Sequence, residues 1–76
     1  MERFFIKLKQ ISDVQDFVKI ATSTPYPIDL HSGRYIVDGN SLLGIYSLDF
    51  TQKIEVVAHT DDASALKNAL ANLLVD

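Results

Sequence analysis

Cysteine is absent from this chain, which excludes a disulfide framework, a thiolate metal site and a cysteine nucleophile. Stability has to come from packing, and 76 residues leave room for one domain, residues 1–76, built around one core. Glycine and proline are scarce at three and two residues, and no low-complexity tract, linker or internal repeat interrupts the chain. Positive charge is sparse too. The seven Lys and Arg residues stand singly at positions 3, 7, 9, 19, 34, 53 and 67 in a chain of formal charge −3, so no basic stripe follows a phosphate backbone and nucleic acid is not an expected partner. No apolar run approaches the roughly 18 residues of a membrane span, and the first residues lack the charged-then-apolar order of a signal peptide. The expectation is a cytoplasmic protein with no membrane span. No complete catalytic constellation is present, so neither an enzyme nor a bound metal or other cofactor is expected.

What is present is an ordinary soluble composition, 47% hydrophobic and 22% charged, arranged in clear periods. Phe4, Ile6 and Leu8 alternate with Arg3, Phe5, Lys7 and Lys9, the pattern of a strand from about Arg3 to Leu8 with one buried face. Ser12 with Gln15 reads as a capping box, and Asp13 adds negative charge, so a helix is expected from Asp13 with Val14, Phe17, Val18 and Ala21 on its buried stripe. The run Thr22-Ser23-Thr24-Pro25-Tyr26-Pro27 ends it. Ile28 and Leu30 alternate with Asp29 and His31, and after Ser32-Gly33 the chain resumes with Arg34, Tyr35, Ile36 and Val37, which reads as a tight hairpin.

The next stretch, Val37 to Asp49, organises the rest. Asn40 and Ser41 are N-cap types, and Leu42, Leu43, Ile45, Tyr46 and Leu48 crowd more than one face of a short helix over Ser41 to Ser47. A helix apolar all round is either buried or shows part of itself to a partner. A fourth strand follows over Lys53 to His59, with Ile54, Val56 and Ala58 inward. Thr60, Asp61 and Asp62 supply a cap and negative charge for a last helix that carries Leu66, Ala69, Leu70, Leu73 and Leu74 and runs nearly to residue 76. The class is α+β in the order β-α-β-β-α-β-α. That order fits either ferredoxin-like connectivity or a different strand order, and a middle helix of about seven residues is short for the former.

The segment Asn40-Ser41-Leu42-Leu43-Gly44-Ile45-Tyr46-Ser47-Leu48, followed by Lys53-Ile54-Glu55-Val56 and by Ala63 to Leu74, resembles HPr, the histidine-containing phosphocarrier of the bacterial sugar phosphotransferase system. That family often reads Lys-Ser-Ile-Met-Gly-Val-Met-Ser-Leu there. The resemblance covers roughly the C-terminal two-thirds of the chain. It implies a two-layer open-faced β-sandwich, a four-stranded antiparallel sheet in the order 1-4-2-3 with three helices on one face. It also implies protein partners, among phosphotransferase-system or regulatory proteins.

The chemistry of the family is missing where it should stand. HPr proteins carry Gly-x-His-x-Arg-Pro between strand one and helix one, whereas this chain has Lys9-Gln10-Ile11-Ser12-Asp13-Val14. Neither a hydroxyl nor an amide replaces a phosphoramidate-forming imidazole, and Asp13 repels a phosphoryl anion. Phosphate carriage on histidine is therefore not expected in this loop. Ser41 matches the serine that a dedicated kinase phosphorylates in many Gram-positive members; the plain reading is a helix cap. Leu42, Leu43 and Tyr46 match apolar residues with which the family docks partners; the plain reading is that Leu43 and Tyr46 turn inward to complete a small core. The imidazoles, His31 and His59, are expected on the sheet face away from Phe4, Ile6 and Leu8, and His59-Thr60-Asp61-Asp62 is not expected to converge on a metal. Ser12 is a capping residue at a helix start that keeps free backbone donors for an anion.

Overall fold

The computed structural model describes all residues, 1–76. Five strands and three α-helices follow one another as β1 (Glu2–Ile6), α1 (Ile11–Thr22), β2 (Ile28–Ser32), β3 (Tyr35–Asp38), α2 (Leu42–Tyr46), β4 (Ile54–Ala58), α3 (Ser64–Ala69) and β5 (Leu74–Val75), with a 3₁₀ turn at Ala71–Leu73 before β5. All pairings are antiparallel, and the order across the sheet is β3-β2-β4-β1-β5.

The sheet has five strands where the sequence reading expects four in the order 1-4-2-3. The extra one is β5, and it exists because the last helix is shorter than its apolar stripe. α3 stops at Ala69, Leu70 is buried in the turn that follows, and Lys7 N–H donates to Leu73 C=O at 2.9 Å. The tail then pairs Ile6 with Leu74 and Phe5 with Val75. A helix continued through Leu74 would leave the outer donors and acceptors of β1 unpaired; the short ladder satisfies them. The position of β4, paired with β1 on one side and β2 on the other, also overturns the ferredoxin-like alternative, which needs strands one and three side by side.

The inner face of the sheet carries Ile6, Ile28, Leu30, Ile54, Val56 and Ala58, all buried, with Phe4 and Val37 packed beside them. Val14, Phe17 and Ala21 of α1, Ile45 of α2 and Leu66 of α3 join the same cluster, so the helices share one face of the sheet. No polar side chain is buried in it, and the core therefore rests on apolar burial alone, at roughly 25 cal/mol for each Å² removed from water.

The start of α1 departs from the sequence reading, while its end falls at Thr22 as expected. α1 begins at Ile11, two residues before Asp13, with Gln10 as its N-cap and no side-chain bond to the cap. Ser12 lies inside the first turn, and the expected capping box with Gln15 does not form. Asp13 takes the role instead, its Oδ2 accepting from Lys9 N–H at 2.9 Å. At the other end, Thr22, Ser23 and Thr24 hydroxyls donate to the carbonyls of Val18, Lys19 and Ile20. These bonds satisfy the last turn before Pro25 removes the next donor. In the β2–β3 hairpin, Ser32 faces Tyr35 across Gly33-Arg34, with positive φ only at Gly33 (58°). That is the pattern of a II′ turn, whose twist matches the strands it joins.

Candidate functional site

α2 is five residues long, and its side chains divide sharply between core and solvent. Ile45 and, just beyond the helix, Leu48 are buried. Leu42 (39% exposed), Leu43 (83%) and Tyr46 (38%) face outward. The plain reading for Leu43 and Tyr46, an inward turn to complete the core, is thereby corrected. Two adjacent apolar turns cannot all enter one core when the helix lies across a thin sheet; Ile45 and Leu48, three apart, take the inward stripe and leave the others outside.

Ser41 is the N-cap of α2, and its Oγ accepts from Gly44 N–H at 3.1 Å. Gly44 is needed for close approach: a Cβ there would stand 3.0 Å from Ser41 Oγ and 3.3 Å from Val37 Cβ. The Ser-x-x-Gly spacing thus serves both the cap and the packing of α2 onto β3. Asp38 Oδ1 accepts from Asn40 N–H at 2.8 Å, so Asn40 is held by its backbone, and Ser41 alone supplies the side-chain cap.

α1 packs against α2, and its first turn adds one residue that the sequence reading passed over. Ile11 is 63% exposed although it stands three before Val14 on the helical stripe. Periodicity alone puts Ile11 inside; at the first position of α1 it stays in water. An apolar residue at the third place of Lys9-Gln10-Ile11-Ser12-Asp13-Val14, where the resembling family has histidine, was the available signal. Asp13 Oδ2 accepts from Lys9 N–H just before this helix start, so a carboxylate stands where an incoming anion would be repelled. Together Ile11, Leu42, Leu43 and Tyr46 are apolar side chains exposed on two helices in contact.

The other face of the sheet is open and holds both histidines. Glu55 Oε1 lies 3.3 Å from Arg3 NH1 and 3.9 Å from His31 Nδ1, while His59 Nε2 meets Asp29 Oδ2 at 2.8 Å. Lys53 sits 4.3 Å from the centre of the Phe5 ring and donates to the Asp76 C=O at 3.0 Å. His59 thus pairs across the sheet and not with Asp61 or Asp62. Asp62 instead accepts from Ser64 N–H at 3.0 Å at the start of α3, and these bonds to Ser64 hold its carboxyl below the ordinary value. No three His, Asp or Glu side chains converge in a way that would hold a metal ion. No helix is long and apolar enough to cross a membrane.

The most voluminous surface concavity, about 750 Å³, opens between the β2–β3 turn and the segment after α2, and both cationic Arg34 and Lys53 and anionic Asp49 and Glu55 line it. With no dominant sign of charge, it offers no anion or cation cradle. In comparison with known proteins, the chain matches no protein-family model and no characterised protein sequence.

Proposed function

We propose that this is an HPr-like protein of the cytoplasm that no longer carries phosphate on histidine and acts as a binding or regulatory module. It works through the surface of α2 and the first turn of α1. The observation that carries the reading is the division of α2: Ile45 and Leu48 hold the helix to the core while Leu42, Leu43 and Tyr46 stay in water. Exposed apolar side chains gain nothing from burial in an isolated chain and are useful when a partner covers them. The placement of β4 between β1 and β2 and of the helices on one face supports the same reading.

The loss of carrier chemistry is supported by both ends of the comparison. The start of α1 has Ile11 and a self-capping Asp13, and the histidines elsewhere each rest against a carboxylate that would repel a phosphoryl group. Ser41 is the proposed acceptor for a regulatory phosphate. Its hydroxyl is half-buried and bonded to Gly44 N–H, so a kinase must draw it out of the cap, and the added charge would then sit beside the free N–H groups of the first turn.

The test is intact-mass spectrometry after incubation with phosphoenolpyruvate and the general phosphotransferase enzyme, and in parallel with ATP and HPr kinase, each with a Ser41→Ala control. The reading expects no acid-labile phosphoryl group from the first and a Ser41-dependent addition from the second. An acid-labile addition would establish a carrier using His31 or His59 and overturn the proposal. Binding is tested by capture of enzyme I, the kinase or a transcriptional regulator on the immobilised protein. Retention that Leu43→Asp abolishes supports the module; no retention of any of the three, with no effect of Leu43→Asp, removes it.

A further inference from the structure

The outer edge of β3 is uncovered, and the pattern along it is symmetric. β3 pairs with β2 alone, and α2 lies over its inner face, against Val37, leaving the edge free. The ladder parity says which groups are free there. Gly39 N–H donates to Ile28 C=O at 2.8 Å, and the register runs Leu30 to Val37 and Ser32 to Tyr35. In an antiparallel pair the bonded positions alternate, so Tyr35, Val37 and Gly39 point their backbone groups at β2, and Ile36 points its N–H and C=O outward.

The side chains repeat that symmetry about Ile36. Ile36 is 63% exposed on the open sheet face, with Arg34 two residues before it and Asp38 two residues after. Neither Arg34 nor Asp38 takes part in an ion pair; the three such pairs join Arg3 and His31 to Glu55 and His59 to Asp29. Asp38 stands opposite Asp29 in the ladder, a like-charge neighbour, so a cation on its other side would be favourable. Charges on a sheet edge ordinarily keep copies apart. Here they have opposite sign and equal distance from the central residue, so a two-fold axis turns them into attraction.

We propose that the β3 edge pairs with the β3 edge of a second copy of this chain, antiparallel about a two-fold axis at Ile36, joining two five-stranded sheets into one. Ile36 then meets Ile36 of the copy and exchanges both backbone bonds with it, Tyr35 faces Val37, and each Arg34 reaches the other copy's Asp38. A register shifted by one residue is excluded, because it would set the outward groups of Ile36 against the inward-bonded Val37. The edge is four residues long, which puts the interface at the small, weak end and the dissociation constant on the order of 0.1 mM.

The experiment is sedimentation of the full chain from about 10 µM to about 1 mM, a range that brackets that constant, with amide exchange of the same samples read by NMR. The expected result is a reversible dimer in which protection of the Ile36 amide rises with concentration, while the Tyr35 and Val37 amides are protected throughout. Ile36→Lys, Arg34→Asp and Asp38→Arg each weaken the dimer about tenfold or more, and Arg34→Asp combined with Asp38→Arg restores it. A chain monomeric at the highest concentration overturns the proposal. So does a dimer whose Ile36 amide exchanges at one rate at every concentration, a readout that needs no variant to fold.

Discussion

Ser41 and Gly44 are bound to each other by what each side chain is: the Ser41 hydroxyl accepts from Gly44 N–H at 3.1 Å, and a Cβ on Gly44 would stand 3.0 Å from that same oxygen. The cap holds a helix of five residues, too short to persist on propensity alone. Ser41→Ala is expected to lower the unfolding free energy by about 1 kcal/mol, and Ser41→Asp to retain most of it, since aspartate is an equally good N-cap. Equilibrium urea unfolding of the three proteins decides this.

Leu43 and Ile45 are two residues apart on α2 and have opposite fates, one exposed and one fully buried. Ile45→Ala should cost about 2–5 kcal/mol through lost burial and the cavity left behind. Leu43→Ala should change stability by less than about 0.5 kcal/mol. Equal losses in a denaturant titration would mean that Leu43 is covered in solution.

Gly39 is required by proximity and Gly33 by backbone angle. A Cβ at Gly39 would lie 2.9 Å from the Ile28 carbonyl oxygen, which is also the acceptor for Gly39 N–H. Backbone cannot step aside cheaply, so Gly39→Ala is expected to destabilise by about 1–3 kcal/mol. Gly33 has open space around it but a φ of 58°, and the first central position of a II′ turn suits glycine, so Gly33→Ala should cost about 1–3 kcal/mol. Thermal melts of the variants rank them.

Acid should loosen the chain at two turns. Asp49 accepts from the Thr51 hydroxyl at 2.6 Å and from its N–H at 2.9 Å, which holds its carboxyl below the ordinary 3.8, as bonds from Ser64 do for Asp62. A carboxyl whose pKa is lower in the folded than in the unfolded chain adds stability above the unfolded value, and that contribution is lost as pH falls through the folded one. Stability should therefore fall as pH drops below 3.8. Asp49→Asn and Asp62→Asn should each make that fall shallower. Urea midpoints measured from about pH 5 to about pH 3 give the slope; a slope unchanged in both variants would assign the acid sensitivity elsewhere.

Residues within one turn or one strand of each other settled much of this fold from sequence. The alternation of Ile54, Val56 and Ala58 puts β4's inner face in the core, the 3.6-residue stripe of Val14, Phe17 and Ala21 buries α1, and Ser41 caps α2. These are local matters, because strand period, helix period and capping depend on neighbours in the chain. Tertiary structure decided the rest. Leu73 and Leu74 continue the stripe of α3, yet the unpaired edge of β1 draws them into a 3₁₀ turn and a fifth strand. Ile11 continues the stripe of α1, yet at the first position of the helix it is left in water. Which of Leu42, Leu43, Ile45 and Tyr46 goes inside is invisible to a pattern in which all are apolar; with Gly44 seated closely on Val37, it is Ile45 that is buried. His59 was free by sequence to turn towards Asp61 and Asp62, but the β2–β4 register sets it beside Asp29, thirty residues away. Sequence determines which faces each element can bury, and only the assembled sheet determines which edges and ends are left for a partner.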